Sequence, residues 1–386
     1  MAEHISLNTV RRQAVFWVAA LIVLTLFLYV FRSVLLPFLA GLALAYFLDP
    51  VADFLERRGF SRTWATTTIL LIFVVLFIVA LVAVVPVLGR QFSQFMESAP
   101  EYYENLRQLV NNLIARAPWL GDLLAQGNGD LAQSFNELAS QAANIGGQVL
   151  RGVWSSANAL LSVLGLLVVT PVVAFYMLLD WDKMIAKIDS WVPRDHLDDV
   201  RRIGRELNEA IAGFVRGQGT VCLILAVFYA TALSIAGLNF GLLIGLVAGL
   251  ISFIPYVGSI VGLVLSVGVA IVQYWPDAAT LATDGYSSSL VSIGIVAAIF
   301  FAGQIVEGNV LQPKLVGSSV GLHPVWLMFA LFAFGSLLGF TGMLIAVPAA
   351  AAIGVLVRFA LERYLDSDLY HGAGSADVPN DKASGA

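Results

Sequence analysis

The chain has 386 residues, of which 59% are hydrophobic and only 12% are Asp, Glu, Lys or Arg, where a soluble domain carries about 25% charged residues. That composition excludes an ordinary soluble protein and, with several apolar runs long enough for a hydrocarbon core ~30 Å thick, points to a polytopic membrane protein. A net charge of −5 leaves no basic excess for nucleic acid, and Cys222, the single cysteine, excludes internal disulfides and cysteine-based zinc sites.

His4, His196, His323 and His371 are scattered, with no HExxH helix and no GxxxxGK[ST] loop, so no metal site or nucleotide cofactor is expected. In chain order, Arg11 and Arg12 precede an apolar run over residues 14–31. This run is longer than the ~7–15 residues of a signal-peptide core and has a second run, 34–48, behind it, so it is predicted to be a membrane helix. Further helices are predicted at 64–88, 154–179, 213–236 and 288–311. Two longer tracts, 238–274 and 324–357, are broken near the middle, and each reads either as two short crossings or as a dip that returns to its own side. The expected fold is all-α and integral to the membrane, with about six spanning helices, two broken or re-entrant helical hairpins and a small helical extramembrane segment.

Orientation follows from the Lys/Arg bias of the short connections. Arg11, Arg12, Arg57, Arg58, Arg62, Lys183, Lys187, Arg194, Arg201, Arg202 and Arg205 fall on one side, while residues 275–287 carry neither Lys nor Arg. Both termini are therefore expected in the cytoplasm. The resulting segments are amino-terminal membrane helices (1–89), a helical periplasmic segment (90–152), one membrane helix (153–180), a cytoplasmic amphipathic segment (181–212), a core with both broken tracts (213–362) and a disordered cytoplasmic tail (363–386). In the periplasmic segment Leu106, Leu109, Val110, Leu113 and Ile114 mark an amphipathic helix. Leu131, Phe135, Leu138, Ala142, Ile145 and Val149 form a heptad seam that serves either packing within the chain or self-association.

The two broken tracts are weak repeats at an offset of 84 residues: Gly237-Leu238 and Gly321-Leu322 open them, and residues 255–258 and 339–342 interrupt them. One helix separates them, so they are expected to enter from opposite faces, the inverted arrangement in which secondary transporters hold polar cargo on freed backbone groups. Pro255, Gly258, Gly339 and Gly342 are the candidate breaks. Gly241, Gly245 and Gly249, with Gly335 and Gly339 repeating the spacing, give each tract a smooth face for close helix packing.

Glu307 stands out because residues 293–306 before it hold only one strongly polar side chain, Gln304, and Asn309, Gln312 and Lys314 follow. A charge at the middle of a membrane helix costs roughly 2.5–3.5 kcal/mol on insertion scales, so an acid there faces a pathway or a partner. The plainer alternative is a Glu at a helix end, solvated or paired with Lys314, although Pro313 argues against a continuous helix between them. The candidate substrate- or ion-binding set is Glu307, Asn309, Gln304, Gln312, Tyr256 and Gln218, of which Gln218 and Tyr256 are weaker members, as is Asn158 beside them.

Gly321-Leu322-His323-Pro324 followed by Gly335, Gly339, Gly342 and Ala346-Val347-Pro348 resembles the carboxy-terminal signature of the autoinducer-2 exporter family of bacterial membrane proteins. Residues 253–258 (FIPYVG), Glu307-Gly308-Asn309, Gln312-Pro313-Lys314, Arg216-Gly217-Gln218 and residues 175–180 (FYMLLD) resemble its other characteristic stretches, in order, over about residues 13–362. The resemblance implies an inner-membrane permease that exports a small polar solute such as autoinducer-2 or exchanges sodium for protons. It also implies a homo-oligomer, with five subunits as the working number. A membrane-embedded enzyme lacks a nucleophile constellation, His323 being the one plausible base; a non-transporting scaffold is the other competing reading.

Overall fold

The computed structural model describes residues 29–116, 157–274, 287–317 and 321–371, with isolated positions between 15 and 27. Its regular elements are all helical: α1 (Arg32–Arg57), α2 (Arg62–Arg116), α3 (Ala157–Trp191), a 3-10 turn (Arg194–His196), α4 (Leu197–Ile235), α5 (Gly241–Ile251), α6 (Val257–Tyr274), α7 (Ser287–Val306), a π-helical segment π1 (Glu307–Val316), α8 (Pro324–Leu365) and α9 (Asp368–His371). Among the described residues, seven helices are long and apolar enough to cross a membrane. Most of the first apolar run, the heptad seam, residues 275–286 and the tail beyond residue 371 lie outside the described residues.

Polarity does not mark where these helices end. α2 runs for 55 residues and passes position 90 without interruption. α3 continues past Asp180 to Trp191, and α4 begins in the polar segment and passes residue 212. A change from apolar to polar side chains leaves the i→i−4 backbone ladder intact, so the segments drawn at 90, 181 and 213 are continuations of apolar helices.

The chain forms two compact units, residues 36–179 with 217–315, and residues 1–35, 180–216 and 316–386. In the first, α1, α2 and α3 bury Ala45, Leu48, Ala52, Ile69, Leu70, Ala174 and Leu178 against one another. Arg62, at the start of α2, ties the ends of all three. Its guanidinium donates to Asp49 (2.9 Å), Asp53 (2.7 Å) and Glu56 (3.0 Å) on α1, and its Nε donates to the Leu178 carbonyl of α3 (2.9 Å).

The same unit contains the first broken tract. α5 has 11 residues, about 16 Å at 1.5 Å per residue and roughly half of a ~30 Å hydrocarbon core. It runs antiparallel to α4 with backbones in contact: a Cβ at Gly241, Gly245 or Gly249 would lie 2.8, 2.2 or 2.2 Å from backbone atoms of Leu233, Ala230 and Ala226. α6 then returns beside α5, since a Cβ at Gly258 would meet Ser252 Cα at 2.3 Å and one at Gly262 the Ala248 Cβ at 3.0 Å. The far end of α6 closes the tract on its own beginning. Gln273 accepts from the Asn239 N–H (2.7 Å) and donates to the Gly237 carbonyl (2.9 Å), and the Tyr274 hydroxyl donates to the Ala236 carbonyl (3.1 Å).

In the second unit α8 folds at Gly339, whose φ of 64° and ψ of −141° belong to a region almost closed to residues with a Cβ. A Cβ on Gly342 would sit 1.9 Å from the Phe334 carbonyl oxygen, one on Gly335 3.0 Å from Met343 Cγ, and one on Gly354 3.2 Å from Leu322 Cδ2. Each pair straddles Gly339 nearly evenly, so α8 is two antiparallel arms. Both broken tracts begin at a glycine with positive φ, Gly237 and Gly321, and fold at a residue with positive φ, Tyr256 and Gly339. The end of α8 meets the start of α4 through the ion pairs Arg363–Asp199 and Arg202–Glu362 (3.2 Å), with both guanidiniums over the Phe359 ring. Arg201 forks onto Asp189 at 2.7 and 2.8 Å, closing the α3–α4 connection.

Candidate functional site

Apolar packing brings α7 against α4, with Tyr229 stacked on Phe300 at 5.5 Å between ring centroids and both residues buried. One turn beyond Phe300 comes Gln304, and three residues further Glu307, on the same α-helical face. Gln304 Nε2 donates to Glu307 Oε2 at 3.0 Å. At Glu307 the helix widens into π1. In an α-helix Gln312 would point about 140° away from Glu307; bonding from i to i+5 brings it back to that face. The Gln312 amide accordingly interacts with the Glu307 carboxylate. Pro313 lies inside π1 without ending it, and Lys314 is exposed.

α4 supplies the opposite wall. Gln218 and Tyr229 are 11 residues apart, three turns along one face. Gln218, 1% exposed, has to satisfy both ends of its amide inside the protein. Its Nε2 donates to the Ser252 carbonyl at the α5–α6 tip (2.6 Å), and its Oε1 accepts from Gln312 Nε2 (3.2 Å). The Tyr229 hydroxyl donates to the Phe300 carbonyl (3.3 Å) and accepts from Gln304 Nε2 (3.1 Å). That hydroxyl fills the space beside Gly303, where a Cβ would lie 2.4 Å from it.

Of the candidates chosen from sequence, Gln218, Gln304, Glu307 and Gln312 thus form one cluster, and Pro255 and Gly258 belong to the tip that it holds. Tyr256 is at the tip but half exposed, and Asn309 is exposed and donates back to the Ile305 carbonyl (2.9 Å). Gly241, Gly245 and Gly249 seat α5 on α4, while Gly335, Gly339 and Gly342 shape the α8 fold in the other unit. The side chain of Asn158 lies outside the described residues. His323 caps α8, its Nδ1 accepting from the Val325 N–H (3.3 Å).

Tyr229 and Ser252 were not anticipated. A tyrosine in an apolar run is ordinary, and only its three-turn spacing from Gln218 hints that its hydroxyl belongs to a polar face. Among the described residues no Lys, Arg or His pairs with Glu307, and no cluster of three His, Cys, Asp or Glu could hold a metal ion. What remains is a half-buried carboxylate lined by amide donors beside a helix break, able to accept a proton, a cation or the hydroxyls of a polar solute.

Comparison with known proteins matches residues 18–362 to the model of the AI-2E family transporter. The chain is 27% identical over 359 residues to the "Putative transport protein YrrI" of Bacillus subtilis, covering 89% of this chain and 96% of that protein. It is 26% identical over 331 residues to the "Putative permease PerM" of Escherichia coli, covering 86% and 88%.

Proposed function

The chain belongs to the AI-2E transporter family, and from that premise we propose that this multi-pass membrane transporter moves a small, hydroxyl-rich polar solute of the autoinducer-2 type across the bacterial inner membrane by alternating access. The observation that supports this reading is the α5–α6 tip, where an 11-residue helix ends and the carbonyl of buried Ser252 is held by Gln218, next to Gln312 and Glu307. Backbone groups freed at such a break cannot be left to lipid, and they supply directional contacts where polar cargo must be held. In this reading α5–α6 is a re-entrant hairpin and the fold of α8 at Gly339 is its counterpart. Sodium/proton antiport is the second reading, supported by the absence of a cationic partner for Glu307 among the described residues.

Proteoliposomes loaded with labelled autoinducer-2, other small polyols or sodium, with and without imposed proton and sodium gradients, separate these readings. A polyol carrier retains much of its flux in Glu307→Gln, which keeps size and hydrogen bonding. An ion-coupled carrier loses flux and gradient dependence together, and an unaltered phenotype without flux of any solute favours a scaffold. We place both termini and residues 181–212 in the cytoplasm. In a Cys222→Ser background an impermeant maleimide should label a cysteine at Gln126 in permeabilised-outer-membrane cells; labelling at Asp195 instead reverses the map. Self-association, with five subunits as the working number, is expected by mass measurement in mild detergent, and a monomer alone would remove it.

A further inference from the structure

The hydrogen bonds around Glu307 have a direction that is fixed by their outer ends. At one end is the Ser252 backbone carbonyl, which can only accept. Gln218 must therefore turn its NH2 toward it (2.6 Å), which leaves the Gln218 carbonyl facing Gln312 and obliges Gln312 to donate (3.2 Å). At the other end is the Phe300 carbonyl, also an acceptor alone. The Tyr229 proton goes to it (3.3 Å), so the Tyr229 oxygen accepts from Gln304 (3.1 Å) and the Gln304 NH2 is the group presented to Glu307 (3.0 Å). The two chains converge on one carboxylate: Gln304 aims its N–H at it, and the Gln312 side chain hydrogen-bonds to it. Among the described residues, Tyr229 and Cys222, both on α4, are titratable side chains that interact with Glu307. Lys314 on π1 is exposed and unpaired with Glu307.

We propose that Tyr229 and Gln218 are positioning residues that hold Glu307 as a hydrogen-bond acceptor, and that Gln218 makes this state conditional on the position of the α5–α6 tip. When the tip moves off Gln218, the amide loses the carbonyl that orients it. It can then rotate to offer N–H to Gln312, which in turn can offer its carbonyl to Glu307. A carboxylate facing a carbonyl is satisfied only by taking a proton. Tip movement and proton uptake at Glu307 are thereby linked through two glutamines, with no titratable group between them. The proposal rests on the reading of Glu307 as part of the transport site, and it supplies the coupling that alternating access at that site requires.

Carbodiimide labelling of Glu307, read by peptide mass spectrometry on the full-length protein in nanodiscs, tests the proposal without a transported solute. The reaction needs the acid's own proton, which passes to a carbodiimide nitrogen as the carboxylate oxygen bonds to the central carbon, so a carboxylate held between N–H donors reacts slowly. Tyr229→Phe keeps the stacked ring and removes one orienting proton. Gln218→Leu removes the other anchor, and Thr231→Val, whose hydroxyl bonds only within α4, serves as control. Losing one donor to a charged group is worth roughly a tenfold change. Labelling at neutral pH should therefore rise about tenfold in Tyr229→Phe and in Gln218→Leu and stay at the wild-type level in Thr231→Val. Wild-type labelling in Tyr229→Phe, the variant that leaves packing intact, would overturn the proposal even if Gln218→Leu fails to fold. Failure of the transport reading would leave this result unchanged and would appear only as absent flux.

Discussion

The two broken tracts solve the same problem with different chemistry. The α5–α6 tip is made by Pro255 and Tyr256, and the freed Ser252 carbonyl is held by a side chain from another helix, Gln218. The α8 fold is made by one residue, Gly339, in a conformation that other residues resist. The first break depends on polarity supplied from outside, and the second on the backbone of a single position. A break held by a partner can respond to that partner, whereas one written into the backbone is a fixed feature of its own arm pair. Polar contacts therefore gather at the first.

Six substitutions test this contrast, and the largest effects are shared. Gly258→Val and Gly342→Val put a side chain where a Cβ alone would be 2.3 Å from Ser252 Cα and 1.9 Å from the Phe334 oxygen. Neither should give folded protein in size-exclusion chromatography, and tolerance of either would remove the antiparallel packing on which the contrast stands. Gln218→Leu comes next. It strands the Ser252 carbonyl and the Gln312 amide together and should cost about 3 kcal/mol in thermal unfolding, at 1–3 kcal/mol per buried group left unpaired.

Backbone substitutions should then act with opposite sign at the two tips. Gly339→Ala forces a Cβ into a disfavoured region and should destabilise by about 2 kcal/mol, although open space surrounds the site. Tyr256→Gly relieves a positive φ at a half-exposed residue and should be neutral or stabilising by up to about 1 kcal/mol. Destabilisation by Tyr256→Gly would mean that the tyrosine side chain, and not the α4 anchor, holds the first tip. The smallest effect is expected for Arg202→Gln, which removes a pair exposed on both sides; about 0.5 kcal/mol or less, fading in high salt, is the expectation.

Several of these elements were legible in the sequence because membrane interiors make polarity conspicuous. Gln218, Gln304, Glu307 and Gln312 stand out against apolar neighbours, and the offset between the tracts located both breaks. The connections among those residues were not legible. Pro313 argued for a helix end, whereas π1 carries the chain through it and turns Gln312 onto Glu307. Asn309, as polar as its neighbours, spends its amide on its own helix. Arg62 counted only as one positive charge in a loop, although it joins three carboxylates and a carbonyl from two other helices. Extramembrane boundaries drawn from polarity cut through unbroken helices, since polarity governs where a helix lies and capping governs where it stops.

The α5–α6 break with Glu307 and the α8 fold are each proposed to take part in transport. Flux of labelled solute in proteoliposomes by Glu307→Ala and by Gly339→Val, compared with wild type at matched incorporation, tests this most directly. Glu307→Ala is expected to lose most of its flux by removing the acceptor at the first break, and Gly339→Val to lose flux by blocking the second fold without altering charge. Full wild-type flux in both variants would contradict the proposal.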